Sequence, residues 1–133
     1  MKIFLDTNIL VSAFVARGLC SDLIRIIVTE HELIISDYVL HELSTVLEQK
    51  INLPSNQIDD IIKYLKTFSV IKNHTTTVDI QLRDKDDIPI LSAALNSGAK
   101  YLITGDQDLL EVNKIYNIKI IDPKQFLRII KLK

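Results

Sequence analysis

The residues best placed to do chemistry in this 133-residue chain are carboxylates, and their placement is more telling than their number. Asp6 directly follows the apolar run Ile3-Phe4-Leu5, and Asp106 follows Tyr101-Leu102-Ile103 with only Thr104 and Gly105 between. Glu42 lies inside an amphipathic helical pattern, and Asp87 stands just ahead of an apolar, Ala-rich one. In an open α/β sheet, ligands bind in the crevice beyond the carboxyl ends of the strands. Acids at two strand ends and on adjoining helices can therefore converge on one cavity although they are far apart in sequence. Carboxylates crowded into one cleft stay ionised together only if something neutralises them. A divalent cation meets that need.

Each acid also has a plainer reading. Asp6 and Asp106 suit helix N-caps, where Asp is strongly favoured. Glu42 could be a solvated helix residue, yet Val39 and Leu43 put it at the border of the apolar stripe rather than on the far polar face. Asp84, Asp86 and Asp87 could all favour a helix dipole; Asp87, nearest the helical register, is the choice over Asp86. Taken singly, each acid reads more simply as structural. Their joint occurrence at strand ends and on adjoining helices shifts the balance towards a shared site. His41-Glu42 does not open a zinc helix, since Leu43-Ser44-Thr45 follows and the second His of H-E-x-x-H is missing. His31, His41 and His74 show no ligand spacing and read as structural or surface residues.

The elements that must position these groups alternate between strand and helix, the pattern of a parallel α/β sheet. Ile3–Leu5, Leu33–Ile35, Tyr101–Ile103 and Ile118–Ile121 read as strands, and Phe68 to Ile71 as a further candidate. Helices are expected over about Thr7 to Ala16, from a cap at Ser21 or Asp22, from Ser36 or Asp37, from Ser55, and after Asp84 to Asp87. Ile9, Leu10, Ala13 and Phe14 form the apolar face of the first helix, and Ile88, Leu91, Ala94 and Leu95 that of the fifth. Pro89 fits a first helical turn, and Gly98 the residue just past a helix end. A short helix near Asp106 to Val112 and a closing one over Pro123 to Ile130 complete the reading. No repeat, low-complexity tract or linker breaks it, and residues 1–133 are expected to form a single domain.

Composition is that of an ordinary globular protein, 47% hydrophobic and 25% charged. The lone Cys20 excludes an internal disulfide and reads as a small packing residue. No apolar run is long enough for a membrane helix, and Asp6 and Asn8 break the N-terminal one too early for a signal peptide. No membrane association and a cytoplasmic location are expected. With 16 Lys+Arg against 17 Asp+Glu, the net charge of −1 does not advertise nucleic-acid binding. Setting four clustered acids aside leaves a mildly basic remainder. Lysines thicken towards the end (Lys114, Lys119, Lys124, Lys131, Lys133, with Arg128), which reads as a solvated face ahead of a phosphate-binding one.

Ile3-Phe4-Leu5-Asp6-Thr7-Asn8, the helical Glu42, Asp87-x-x-Ile90-x-x-Ala93-Ala94 and Leu102-Ile103-Thr104-Gly105-Asp106-x-Asp108-Leu109 resemble PIN domains in order and spacing across essentially the whole chain. The chain looks most like small stand-alone bacterial and archaeal PIN proteins, many of them VapC-like toxins of VapBC-type toxin–antitoxin pairs. Arg83-Asp84-Lys85-Asp86-Asp87 is similar to the R-D-P-x-D form of one subgroup, with Lys85 in the Pro position. The resemblance implies a three-layer sandwich, a central parallel sheet flanked by helices, with divalent-metal-dependent ribonuclease activity on RNA. An antitoxin protein as partner and a homodimer are implied too. By the same match, Asp6, Glu42, Asp87 and Asp106 carry over as the acidic quartet, and Asn8, Thr104 and Asp108 as supporting polar residues.

The chemistry fits on its own terms. Phosphodiester hydrolysis needs an activated nucleophile and relief of charge on the phosphoryl group, and a carboxylate-held Mg²⁺ or Mn²⁺ serves both. Asp6 is expected to be the central ligand, with Asp87 and Asp106 as partners, and Glu42 to hold a second ion or orient the attacking water. Thr104 and Asn8 would fix the carboxylates by hydrogen bonding. A haloacid-dehalogenase-type phosphatase would want D-x-D after the first strand, where this chain has Asp6-Thr7-Asn8. A phosphoacceptor receiver would want paired acids there. The competing readings that stand are a catalytically silent PIN-like module that binds RNA or protein, and a non-toxin RNA-processing nuclease.

Overall fold

The computed structural model describes residues 1–72 and 87–131. Among the described residues six strands form one sheet: β1 (Lys2–Leu5), β2 (Glu32–Ser36), β3 (Val70–Lys72), β4 (Tyr101–Ile103), β5 (Lys114–Ile115) and β6 (Ile118–Ile121). Seven helices among the described residues flank it: α1 (Thr7–Val15), α2 (Leu19–Glu30), α3 (Asp37–Gln49), α4 (Ser55–Phe68), α5 (Asp87–Ser97), α6 (Gln107–Val112) and α7 (Pro123–Lys131). The strand order is β3-β2-β1-β4-β6-β5, so the chain builds outward from β1 to both sides. β1 pairs in parallel with β2 and β4, with Phe4 level with Ile34 on one side and Leu102 on the other.

The interior strands are continuous apolar runs because helices cover both their faces. Ile3, Phe4 and Leu5 are fully buried, as are Leu102 and Ile103. Leu10, Leu23, Ile27, Leu43, Leu47 and Leu65 close on them from the helices. The order reverses at β1 and β4, the topological switch point where such sheets open a crevice beyond their strand ends. Asp6 N–H donates to the Ile103 carbonyl (3.1 Å) and Thr104 N–H to that of Ile121 (3.0 Å), which locks these three strand ends side by side.

Several expectations shift. The sheet is mostly parallel, but β5 runs antiparallel to β6 at one edge. That two-residue strand carries no periodic signal, and its hairpin turns through Tyr116 at φ 51°, a conformation that favours Gly or Asn. Helix α2 starts at Leu19 rather than after Ser21 or Asp22, because Gly18 takes the N-cap position at φ 151°, a backbone conformation closed to most side chains. Asp22 instead stands 3.6 Å from Arg25, both exposed. Phe68 ends α4 and lies outside β3. In α5 the burial is not one stripe: Ile90, Leu91, Ala93 and Ala94 are buried, whereas Ile88 and Leu95 are only half-buried. A helix packed on several sides loses its 3.6-residue contrast. Cys20 is half-buried, and burial pushes its thiol pKa up, which suits a packing residue. No helix among the described residues is long and apolar enough to cross a membrane.

Candidate active site

Asp6 is where strand chemistry becomes site chemistry. It ends β1, takes the N-cap position of α1 and is only 4% exposed. One carboxylate oxygen accepts from the Thr7 N–H (2.7 Å) and the other from the Thr104 hydroxyl (2.7 Å). Thr104, fully buried at the end of β4, in turn accepts from the Asp106 N–H (3.0 Å). That bond leaves the Thr104 proton for Asp6, so one hydroxyl ties together the ends of two neighbouring strands.

Asp106 caps α6 in the same manner, with one oxygen accepting from the N–H groups of Asp108 (2.8 Å) and Leu109 (3.3 Å). Asp87 is the first residue of α5 and 7% exposed. Three of the acids thus sit at helix N-termini, where the partial positive charge of the first turn favours an anion. The capping reading of Asp6 and Asp106 does not conflict with a place in a site, because both caps also line one cavity. Glu42 comes from α3, half-buried, and accepts from the Thr7 hydroxyl and, at 3.4 Å, from the Tyr38 hydroxyl.

Asp6, Glu42, Asp87 and Asp106 line one cavity of about 270 Å³ at the switch point, together with Asn8 and Lys50. Asp108 lies on α6 beside it and does not line it; its backbone serves Asp106 instead. Asp84 and Asp86 lie outside the described residues, as does His74. His31 packs edge-on to Phe126, and His41 lines a separate, larger groove of about 800 Å³ between α3 and α4, which holds none of the quartet. The larger groove is the roomier one, but the four acids named from sequence meet in the smaller cavity.

Three residues beside the quartet escape the sequence reading. Thr7 is buried and links Glu42 to the Asp6 turn. Tyr38 and Lys50 flank Glu42 along α3, and Tyr38, Glu42, Val46 and Lys50 recur every fourth residue. That spacing marks one helix face, and it is the signal that could have found them.

The electrostatics work against a charged Asp6. Burial raises the Asp6 pKa most, and the like charges of Glu42 and Asp106 add to it, against the lowering by its bonds from Thr104 and Thr7. Among the described residues no three acids are drawn in tightly enough to enclose a bare ion. The donor set nonetheless fits a hydrated one: every candidate ligand is a carboxylate, and about 270 Å³ accommodates an ion with several of its waters.

Two consequences are measurable. Thr104→Val removes both the donor to Asp6 and the acceptor for Asp106, and is expected to lower whatever turnover the carboxylate cavity supports roughly 10- to 100-fold. Thr104→Ser should restore most of it, and equal rates for Thr104→Val and wild type would refute this role. The second concerns pH. The folded state holds the Asp6 proton to higher pH than the unfolded chain does, so it binds more protons in the window between the two pKa values. Asp6 therefore makes metal-free stability fall as pH rises from the ordinary carboxylate range through its raised value. Urea melts in EDTA should show wild type losing ground to Asp6→Asn across that window; parallel curves would contradict it.

The sequence profile of the PIN domain matches residues 2–108. No curated protein sequence matches significantly. Among solved structures, the fold is similar to VapBC2 from Rickettsia felis, crystallised bound to a DNA fragment from their promoter, at TM-score 0.65 and 19% identity. That likeness covers 92% of this chain and 98% of the other. It is also similar to VapC20 of Mycobacterium tuberculosis, described as a sarcin-ricin loop cleaving toxin, at TM-score 0.60 and 14% identity, over 88% of this chain and 98% of that one. With that profile spanning most of its length and the fold shared with these structures, the chain belongs to the PIN-domain family.

Proposed function

We propose that this protein is a divalent-metal-dependent endoribonuclease, the toxin of a toxin–antitoxin pair, with its entire length serving as one nuclease domain. The observation that carries the reading is the convergence of Asp6, Glu42, Asp87 and Asp106 on one cavity at the sheet's switch point. The membership in the PIN-domain family and the folds shared with VapBC2 and VapC20 support it.

In this proposal Asp6, Asp87 and Asp106 hold Mg²⁺ or Mn²⁺, directly or through water, and Glu42 orients the attacking water or serves a second ion. The cation, when bound, supplies an activated water and screens the phosphate. Thr104 holds the Asp6 carboxylate in place from β4, and Thr7 holds Glu42 from the first turn of α1. Asn8, exposed at the cavity wall, offers an amide to the substrate phosphate or to a ligand carboxylate. Asp108 supports Asp106 through the first turn of α6. The proposal includes a homodimer, a protein antitoxin that restrains the activity, and a cytoplasmic site of action.

The test is cleavage of a panel of tRNA, rRNA and mRNA with Mg²⁺, with Mn²⁺ and with EDTA. Metal-dependent internal cuts are expected. Intact RNA on every substrate in both metals would leave the silent binding module as the better reading. Growth arrest on expression, relieved by Asp6→Asn, distinguishes a toxin from an RNA-processing enzyme.

A further inference from the structure

Two of the lysines that sequence alone assigns to a solvated face, Lys114 and Lys119, share a pocket with a third, Lys100. Lys100, Lys114 and Lys119 line one pocket of about 390 Å³ with Asn113 and Asn117, and no acid lines it. Lys100 precedes β4 and Lys119 lies beside it on β6, level with Tyr101. Lys114 of β5 is the direct cross-strand partner of Lys119. Like charges placed directly opposite in an antiparallel pair repel, and none of the three lysines makes an ion pair among the described residues. The Lys100 ammonium leans over the Tyr101 ring, 5.7 Å from its centre, so it comes to the same side of the sheet as the other two. The pocket lies at the opposite end of β4 from Thr104, roughly 13 Å away at strand spacing, so it is separate from the acid cavity.

An exposed aromatic residue adjoins these positions in the chain. Tyr116 occupies the β5–β6 turn between the pocket residues Lys114 and Asn117 and is 78% exposed, the most open large hydrophobic side chain among the described residues. A positively charged groove next to an exposed aromatic platform is how proteins hold single-stranded nucleic acid: lysines follow the phosphates and the ring stacks on a base. The asparagine amides add donors and acceptors that either phosphate or base edges can use.

We propose that Lys100, Lys114, Lys119 and Tyr116 form a binding site for single-stranded RNA, distinct from the carboxylate cavity. It would hold the strand outside the point of cleavage. The site stands on charge and shape alone, so its test needs no catalysis. A short fluorescein-labelled oligouridine is titrated with protein in EDTA at several salt concentrations, and heparin is bound in parallel as a polyanion without bases.

The triple variant Lys100→Gln, Lys114→Gln, Lys119→Gln should bind oligouridine roughly tenfold more weakly at low salt, and the log–log salt slope should fall by about 2. Its melting temperature should not drop, since exposed like charges are being removed. Tyr116→Ala should weaken oligouridine binding roughly fivefold or more and leave heparin binding unchanged. Unchanged affinity and slope in the triple variant would overturn the site. Unchanged oligouridine binding in Tyr116→Ala, or equal losses on both ligands, would overturn its assignment to single strands. Because cleavage is absent throughout, either failure leaves the nuclease proposal standing, and failure of that proposal leaves this one intact.

Discussion

In the proposed nuclease, Asp6→Asn is expected to lower RNA cleavage by roughly a thousandfold or more and to leave the protein folded. The size follows from what the substitution removes: a central anionic ligand, and with it several kcal/mol of charge stabilisation at the phosphoryl group, each about 1.4 kcal/mol being tenfold in rate. The fold survives because an amide oxygen can still accept the Thr7 N–H that caps α1. At neutral pH in EDTA the variant should even be the more stable protein, since it no longer buries a carboxylate beside Glu42 and Asp106. Rates near wild type would remove Asp6 from the centre of the mechanism. Loss of activity together with loss of secondary structure would make its role one of folding.

The prominence of Asp6 is legible in the sequence because its two determinants are local. An apolar run with a carboxylate at its end marks a strand end, and Thr104-Gly105-Asp106 repeats the arrangement one neighbouring strand away. The interactions that complete the site are tertiary and leave a fainter trace. Thr7 reads as an unremarked helix residue until α3 brings Glu42 to it across 35 positions. Lys50 looks like a solvated helix end until the cavity places it beside the acids. Asp108 is legible by its motif position, and what the fold adds is its backbone N–H, which donates to the Asp106 carboxylate.

The largest effect on stability is expected for Phe4→Ala, a loss of about 3–5 kcal/mol. Phe4 is fully buried in β1, the strand from which the sheet grows to both sides, and its neighbours across the ladders are Ile34 and Leu102. Truncation there leaves a cavity between layers that cannot collapse without moving the strand that carries Asp6. A domain of this kind holds only about 5–15 kcal/mol in total, so the variant should lose much of its margin and its melting temperature should fall steeply. Phe68→Ala, at the exposed end of α4, should cost about 1 kcal/mol or less. Urea denaturation of the two variants checks the contrast; equal losses would mean that β1 is not the keystone of the core.

That contrast also explains why the fold is largely readable from sequence. Buried parallel strands such as Ile3–Leu5 and Leu33–Ile35 are written as uninterrupted apolar runs, and α3 and α4 as periodic ones. The features that escape are set by backbone conformation or by neighbours rather than by pattern. Gly18 begins α2 three or four residues early through a dihedral, not a side-chain cap. The edge strand β5 exists because β6 offers it a partner, and its two residues carry no period of their own.

The most direct test of the central claim is calorimetric titration of Mn²⁺ into the metal-free protein and into Asp6→Asn at neutral pH. The arrangement of Asp6, Glu42, Asp87 and Asp106 around one cavity predicts saturable uptake by wild type, weakened roughly 100-fold or more by the substitution. No uptake by the wild-type protein, or equal uptake by both, would contradict a metal-dependent site at the end of β1.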